Sequence, residues 1–390
     1  MIKSFFGDKQ WALWAWGGLL LLFALVGLEV WAVVWLNGWY RETWDFLQNP
    51  HPLIKDAILN PDTDWSRRLS DIPDASEADR AAAETLGELA EMQIDRFWQL
   101  LGKFSLIVFP LIALSAFTAF FARHYAFRWR QAMTYAYMPL WEKAESEIEG
   151  ASQRLQQDPD RFARLVESLG LGVFRSLLTL FAFVPILWGV SAEIMQKFAA
   201  AEGLANAPFA LPFFGWTANT AGSLALVAVV LAAGGTALSF LVGVKLPGLE
   251  YNNQRVEARF RKRLVYSEDD KKFAHFHSLA ELFTGLRLNY FRLYLHYSYF
   301  GLWAGLFSQF VVIADLIMVG GGVVLGIITF GFLQQIFHAF GKVVDSLKYF
   351  VDNWTTVTEL MSVVKRLREF ERNIGYAGGG GGATEPAQKI

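Results

Sequence analysis

WALWAWGGLLLLFALVGLEVWAVVWL, the stretch Trp11–Leu36, carries a single charge, Glu29. A helix rises ~1.5 Å per residue, so about 20 mostly apolar residues cross the hydrocarbon core of a bilayer. This stretch is long enough to span. Five more of similar character follow, at roughly Phe97–Ala122, Leu171–Ala192, Thr220–Val244, Tyr290–Val319 and Gly322–Val344. The chain therefore reads as an all-α polytopic membrane protein with six core transmembrane helices. A 54% share of hydrophobic residues agrees with that class. Cysteine is absent, which excludes a disulfide framework, a thiolate metal site and thiol catalysis. The run from Trp11 is too long for the apolar part of a cleavable signal peptide and lacks a small-x-small exit. Met1–Gln10, with Phe5 and Phe6 beside Lys3 and Lys9, reads as a short interfacial segment.

Lysine and arginine in the connections set the expected topology. Arg123, Arg128, Arg130, Lys143, Arg154, Arg161 and Arg164 follow the second span, and ten more basic residues lie between Lys245 and Arg292. Lys197 alone lies between the third and fourth spans, and none lies between the fifth and sixth. Both termini and both basic connections, 123–170 and 245–289, are expected in the cytoplasm. The loop 40–96 is rich in acids, among them Asp62, Asp64, Asp71, Asp74, Glu77 and Asp79, and is expected outside.

The inner connections have helical composition. Arg123–Gln157 has few breakers, Asp158-Pro159 signals a turn, and Asp160 could cap a returning helix. Glu250–Val265 is helical again, and the last span is expected to run on unbroken through Asp345–Arg372. The transporter domain then covers 11–372, and the glycine-rich tail 373–390 receives no structural assignment. Six spans with two long cytoplasmic helical hairpins resemble the transmembrane topology of an ABC exporter, in which each subunit supplies half of a path and a homodimer is the default. No P-loop accompanies it: Gly341-Lys342 is followed by Val343 and lacks the upstream glycine.

Several blocks carry a closer likeness. They are HYAFRWRQAM (His124–Met133), IEGASQR (Ile148–Arg154), VKLPGLEYNNQRVEARFRK (Val244–Lys262), LVYSEDD (Leu264–Asp270), NYFRLYLHYSYF (Asn289–Phe300) and NWTTVTELMSVVKRLREFE (Asn353–Glu371). In these blocks and their spacing the chain resembles the SbmA/BacA peptide-antibiotic transporter family over most of Asn37–Glu371. The resemblance implies a homodimer with an ABC-exporter-like membrane fold and no nucleotide-binding domains. It also implies proton-driven uptake, across the bacterial inner membrane, of peptides that include proline-rich antimicrobials, microcins and bleomycin-like compounds. The family as known carries further hydrophobic sequence before the first core helix, and this chain starts almost at that helix. The acidic outer stretch near Asn60–Glu91 is longer than the family's.

The chemistry lies in carboxylates. Glu142, Glu145 and Glu149 at i, i+3 and i+7 share a helix face, which suits either a solvated surface or a functional group at Glu149. Glu250 and Glu257 also face one way, and Glu257 has Arg261 at i+4 as an alternative helix partner. The resemblance implies a ladder of proton-passing glutamates in an inner cavity. Its matching positions here are Glu149, Glu167, Glu250, Glu257, Glu268 and Glu359, with Arg263 where the family block has an acid. A carboxylate carries a proton when burial or a like charge raises its pKa, and a cationic peptide could compete for the same acids.

Glu29, inside the first span, should face the bundle, be protonated or pair. Asn37, Trp39 and Tyr40 match the family's N-x-W-Y stretch and serve either as an interfacial belt or as a substrate surface. Asn289, Tyr294 and Tyr297 could line a cavity or pack helices. Asp315 and Glu193 read as interfacial; His296 and His338 read as packed or hydrogen-bonded. No spacing suggests a metal site, no cofactor is expected, and the basic residues are explained by topology rather than by nucleic acid. The protein reads as a secondary transporter and not an enzyme. The alternatives are the membrane half of an exporter energised by a separate ATPase, and a protein of envelope-lipid modification.

Overall fold

Apolar runs with few breakers become helices that outlast any bilayer. The computed structural model describes residues 1–60, 62–144, 151–200 and 222–376. It contains α1 (Lys3–Phe6), a π-helical turn at Leu13–Gly17 that leads into α2 (Gly18–Gln48), α3 (Pro52–Leu59), α4 (Glu77–Ala82), α5 (Leu86–Glu142) and α6 (Ala151–Ala200). After residue 221 come α7 (Ser223–Gly243), α8 (Leu246–Asp269), α9 (Phe276–Val324), α10 (Phe330–Asp352) and α11 (Trp354–Asn373). The 57 residues of α5 extend ~85 Å. Among the described residues there is no strand beyond an isolated bridge between Arg68 and Thr85.

Among the described residues, five stretches are long and apolar enough to cross a membrane: Leu13–Gln48, Leu86–Glu142, Arg154–Lys197, Ser223–Glu268 and Phe276–Val324. The sixth expected span, Gly322–Val344, is divided. Its first residues close α9, and a turn follows in which Gly326 takes φ +72°, a left-handed conformation that suits glycine. Then α10 begins, with Gln334, His338 and Lys342 forming a polar stripe at i, i+4 and i+8. The unbroken helix expected through Asp345–Arg372 is interrupted at Asn353, whose side-chain amide bonds the Tyr349 carbonyl at 2.9 Å and offers the backbone a local alternative. The expected loop 40–96 is shorter than foreseen, because α2 continues to Gln48 and α5 starts at Leu86.

The chain divides into two compact units. The first comprises Met1–Leu28, Leu114–Ser176 and Tyr349–Ile390. Its core joins Phe5, Tyr125, Trp129, Met133, Tyr137, Phe162, Val363, Leu367 and Phe370. Phe5, in the opening segment, is fully buried and stacks on Trp129 at 5.4 Å. Asp158-Pro159 does not turn the chain: it lies within α6. An interior proline costs a helix ~3 kcal/mol, and tertiary pairing offsets it here. Asp158 is buried and bound by both arms of Arg366 on α11, Nη2 at 2.9 Å and Nε at 3.2 Å. Arg154 reinforces the contact by donating to the Arg366 carbonyl at 3.1 Å. The Arg130–Asp160 pair at 3.1 Å ties α5 to α6 beside it.

The second unit comprises Glu29–Ala113 and Leu177–Lys348. Its main core gathers Phe183, Leu187 and Ile194 of α6, Leu224 and Ala228 of α7, Phe307 and Met318 of α9, and Phe332, Ile336 and Phe340 of α10. Gly235 admits the Phe307 ring, which would lie 2.1 Å from an added Cβ. A smaller cluster of Ala57, Leu69, Ala75, Ala83, Leu86 and Leu89 organises the acidic stretch. There α4 opens on a capping box in which Ser76 and Asp79 satisfy each other's backbone amides at 3.0 and 3.1 Å.

Two outcomes follow for stability. Asp158→Asn should cost the first unit ~1–3 kcal/mol, since Arg366 loses its charged acceptor; the melting temperature of the full chain in detergent should fall, and an unchanged midpoint would contradict the pairing. In the acidic stretch, the Ser76 hydroxyl holds the Asp79 carboxyl below its ordinary range although partial burial pushes it up, helped by the Ser76 amide and by His51 at 3.1 Å. A depressed folded pKa means that this stabilisation is complete above the ordinary value of ~3.9 and is lost as pH falls below it. Methyl NMR signals of Ala75 and Ala83 should broaden on acidification through that value, and should do so far less in Asp79→Asn.

Candidate functional site

Carboxylates on α8 meet phenols on α9 in the second unit. These helices run antiparallel, so residues spaced by two turns on one come opposite two turns on the other. Glu257 accepts a hydrogen bond from the Tyr290 hydroxyl at 3.0 Å. Seven residues earlier, Glu250 lies within electrostatic reach of Tyr297, two turns beyond Tyr290. Tyr294 stacks obliquely on Tyr290, with centroids 5.4 Å apart, and keeps most of its ring exposed. Glu268, near the end of α8, is exposed. Asn289 turns inward on its own helix and donates to the Gly285 carbonyl at 2.8 Å.

Two further expected carboxylates belong to the first unit. Glu167 lies on α6 below the apolar stretch that starts at Leu171 and is half-buried. The Arg123 guanidinium on α5 lies within electrostatic reach of its carboxylate. Tyr349 stands close by: its hydroxyl donates to the Ser168 carbonyl at 3.3 Å, and Gly172 leaves room for it, since an added Cβ would lie 1.8 Å from that oxygen. Glu359 on α11 is half-exposed and 3.9 Å from Arg161, a pair that contributes little at the surface. Glu149 lies outside the described residues.

The other expected residues take definite positions. Glu29 is buried in α2. Trp39 is a strut: its indole N–H donates to the Leu100 carbonyl of α5 at 2.8 Å and its ring packs on Phe104 at 4.8 Å. Asn37 is buried, and its amide donates to the Gln335 carbonyl at 2.9 Å and reaches His338 Nδ1 at 3.1 Å. Tyr40 covers the same imidazole at 5.1 Å.

Two features exceed what the sequence suggested. Arg41 binds Glu193 through both guanidinium nitrogens, at 2.9 and 2.6 Å, while Lys197 approaches Glu193 at 3.4 Å. Both cations also lie over the Phe332 ring, at 4.4 and 4.9 Å. The Glu193–Lys197 spacing of four is visible in the sequence; Arg41, 152 residues away, is not. Asp315, expected at an interface, is instead 4% exposed, and its Oδ1 meets no hydrogen-bond donor among the described residues. Its signal is isolation, since no other ionisable residue lies between Phe300 and Val324.

Among the described residues no group of three histidines and acids could hold a metal ion. The α8–α9 contact sets carboxylates beside phenols. Comparisons with known proteins bear on that chemistry. The sequence model of the SbmA/BacA-like family matches residues 81–375. The chain is similar to the inner membrane ABC transporter ATP-binding protein YddA of Escherichia coli, 23% identical over 303 residues that cover 73% of this chain and 51% of that protein. It is also similar to an uncharacterized ABC transporter ATP-binding protein of Synechocystis, 22% identical over 297 residues, 71% of this chain and 40% of that protein. The chain thus spans about half or less of the curated relatives it matches.

Removing the Tyr290 hydroxyl should leave the α8–α9 pair folded and free the Glu257 carboxylate. In Tyr290→Phe, carbodiimide labelling of Glu257, measured by mass spectrometry, should rise about threefold to tenfold, the effect of a bond worth ~0.5–1.5 kcal/mol. Equal labelling in both proteins would show that the bond does not hold the acid.

Proposed function

The chain belongs to the SbmA/BacA-like family, and from that membership we propose that it is a secondary transporter of the bacterial inner membrane that takes up peptides at the expense of a proton gradient, as a homodimer that opens alternately to either side. Both termini and the two basic connections face the cytoplasm in this reading. The observation that carries it is the placement of Glu167, a half-buried carboxylate of α6 set near the Arg123 guanidinium of α5. Glu250 and Glu257, on α8, lie beside phenols of α9. A cationic peptide neutralises such acids as a proton does, so cargo and proton exclude one another. Each charge moved across the membrane is worth ~2.3 kcal/mol per 100 mV, enough to drive accumulation.

A second reading has one observation in its favour. The relatives named above are ATP-binding proteins by their names, and this chain matches only part of their length. It could serve as the membrane half of a transporter energised by an ATPase on another chain.

Uptake of a labelled proline-rich peptide into proteoliposomes, with and without an imposed pH gradient, separates the two. Gradient-driven uptake should appear without ATP and fall about tenfold in Glu167→Gln or Glu257→Gln, the scale of a coupling free energy of ~1–3 kcal/mol. Uptake that survives a protonophore and needs an added ATPase would install the second reading, and unchanged uptake in both variants would remove these acids from the path.

A further inference from the structure

Asn37 on α2 and His338 on α10 make a contact whose chemistry is more restrictive than packing. The Asn37 amide nitrogen lies 2.9 Å from the Gln335 carbonyl oxygen. A carbonyl can only accept, so the atom facing it is the NH2 and the amide orientation is fixed. The second hydrogen of that NH2 points at His338 Nδ1, 3.1 Å away. An NH2 group cannot accept, so Nδ1 must present its lone pair and the ring hydrogen sits on Nε2. Asn37 is 1% exposed, so water does not offer it a substitute partner.

We propose that His338 Nδ1 is a proton-binding site whose occupation excludes the Asn37 hydrogen bond, so that α2 and α10 are latched when the site is empty and released when it is filled. The step balances simply: a hydronium ion gives its proton to the Nδ1 lone pair, water leaves, and the Asn37 N–H···N bond breaks because two donors now face each other. The new imidazolium also loses its apolar fit, with Phe183 of α6 at 5.9 Å and Tyr40 of α2 at 5.1 Å. The charged groups on the packed elements are few. Lys342 lies one turn along on α10. Arg41 of α2 is engaged with Glu193 of α6, as is Lys197. No carboxylate is bonded to the imidazole among the described residues, so protonation gains no counter-ion.

The latch matters because the helices are close. An added Cβ at Gly331 of α10 would lie 2.3 Å from the Arg41 carbonyl of α2. Breaking the Asn37 bond therefore loosens a tight seam. Its consequence for transport, that a proton arriving at His338 frees one helix from another, rests on the proposed function; the latch itself does not.

The natural chain has no cysteine, so paired spin labels can be placed cleanly. Gly38→Cys on α2 and Gly341→Cys on α10 sit where a Cβ meets no neighbour within 4 Å. In the full chain in lipid nanodiscs, the distance between these labels should lengthen as pH is lowered from about 8 to about 3, a range that reaches well below a free imidazole's ~6.5 because burial disfavours the charged ring. His338→Gln, which keeps an acceptor for Asn37 but cannot be protonated at it, should hold the short distance throughout. Asn37→Asp, whose carboxylate accepts from Nδ1–H of either the neutral or the charged ring, should lose most of the lengthening. A distance that ignores pH in the natural sequence, an unaltered response in His338→Gln, or an undiminished response in Asn37→Asp would overturn the latch. Label movement without gradient-driven uptake keeps the latch and removes the proposed function; gradient-driven uptake with static labels does the opposite.

Discussion

A polar group withdrawn from water must find a partner or cost several kcal/mol, and this constraint bears hardest on a chain made of long apolar helices. Burial of leucine and phenylalanine brings such helices together but does not choose their register, because one apolar face fits another in many ways. The polar contacts make the choice. Asp158 has one guanidinium in reach, and Arg366 supplies it from α11. Asn37 must satisfy two hydrogens, and a carbonyl and an imidazole on α10 accept both. Trp39 needs an acceptor for its indole and takes the Leu100 carbonyl. Each contact fixes a helix against a neighbour at one level.

The same constraint shapes function. A group that is satisfied in one protonation state and unsatisfied in the other converts proton binding into movement. Neutral packing cannot do that, because a proton has nowhere to act. In the proposed function and the proposed latch, Glu167, half-buried beside a cation and a phenol, and His338, facing the Asn37 amide, are the groups of this kind. The Arg41–Glu193 pair is different. It holds two charges that satisfy each other across the ordinary range and so serves as a fixed point, with Phe332 beneath both cations.

Much of this was legible in the sequence. Hydropathy and length gave the helical class and five of the stretches able to cross a membrane, because burial in lipid leaves a composition that local context does not blur. The sixth expected span is divided by the turn at Gly326, and its Gln334, His338 and Lys342 form a stripe that shows only when the helical period is applied to them. The turn at Asp158-Pro159 was misjudged for another reason. Local propensity favoured a break, and a partner more than two hundred residues away overrode it. The helical composition around Glu167, Glu250 and Glu257 agrees with their places on α6 and α8, but no spacing rule could say that Tyr290 would hold Glu257 or that Arg123 would lie near Glu167. Asp315 was placed at an interface from its position near the end of a stretch; only packing shows that it is enclosed.

The central claim is that acids in this protein hold either a proton or a cationic cargo, not both. Proton release on cargo binding tests it most directly. Purified full chain in weakly buffered detergent solution, mixed with a saturating proline-rich cationic peptide, should release protons, and the amount should shrink in Glu167→Gln and Glu257→Gln. Binding of the peptide with no change in proton content would contradict the account.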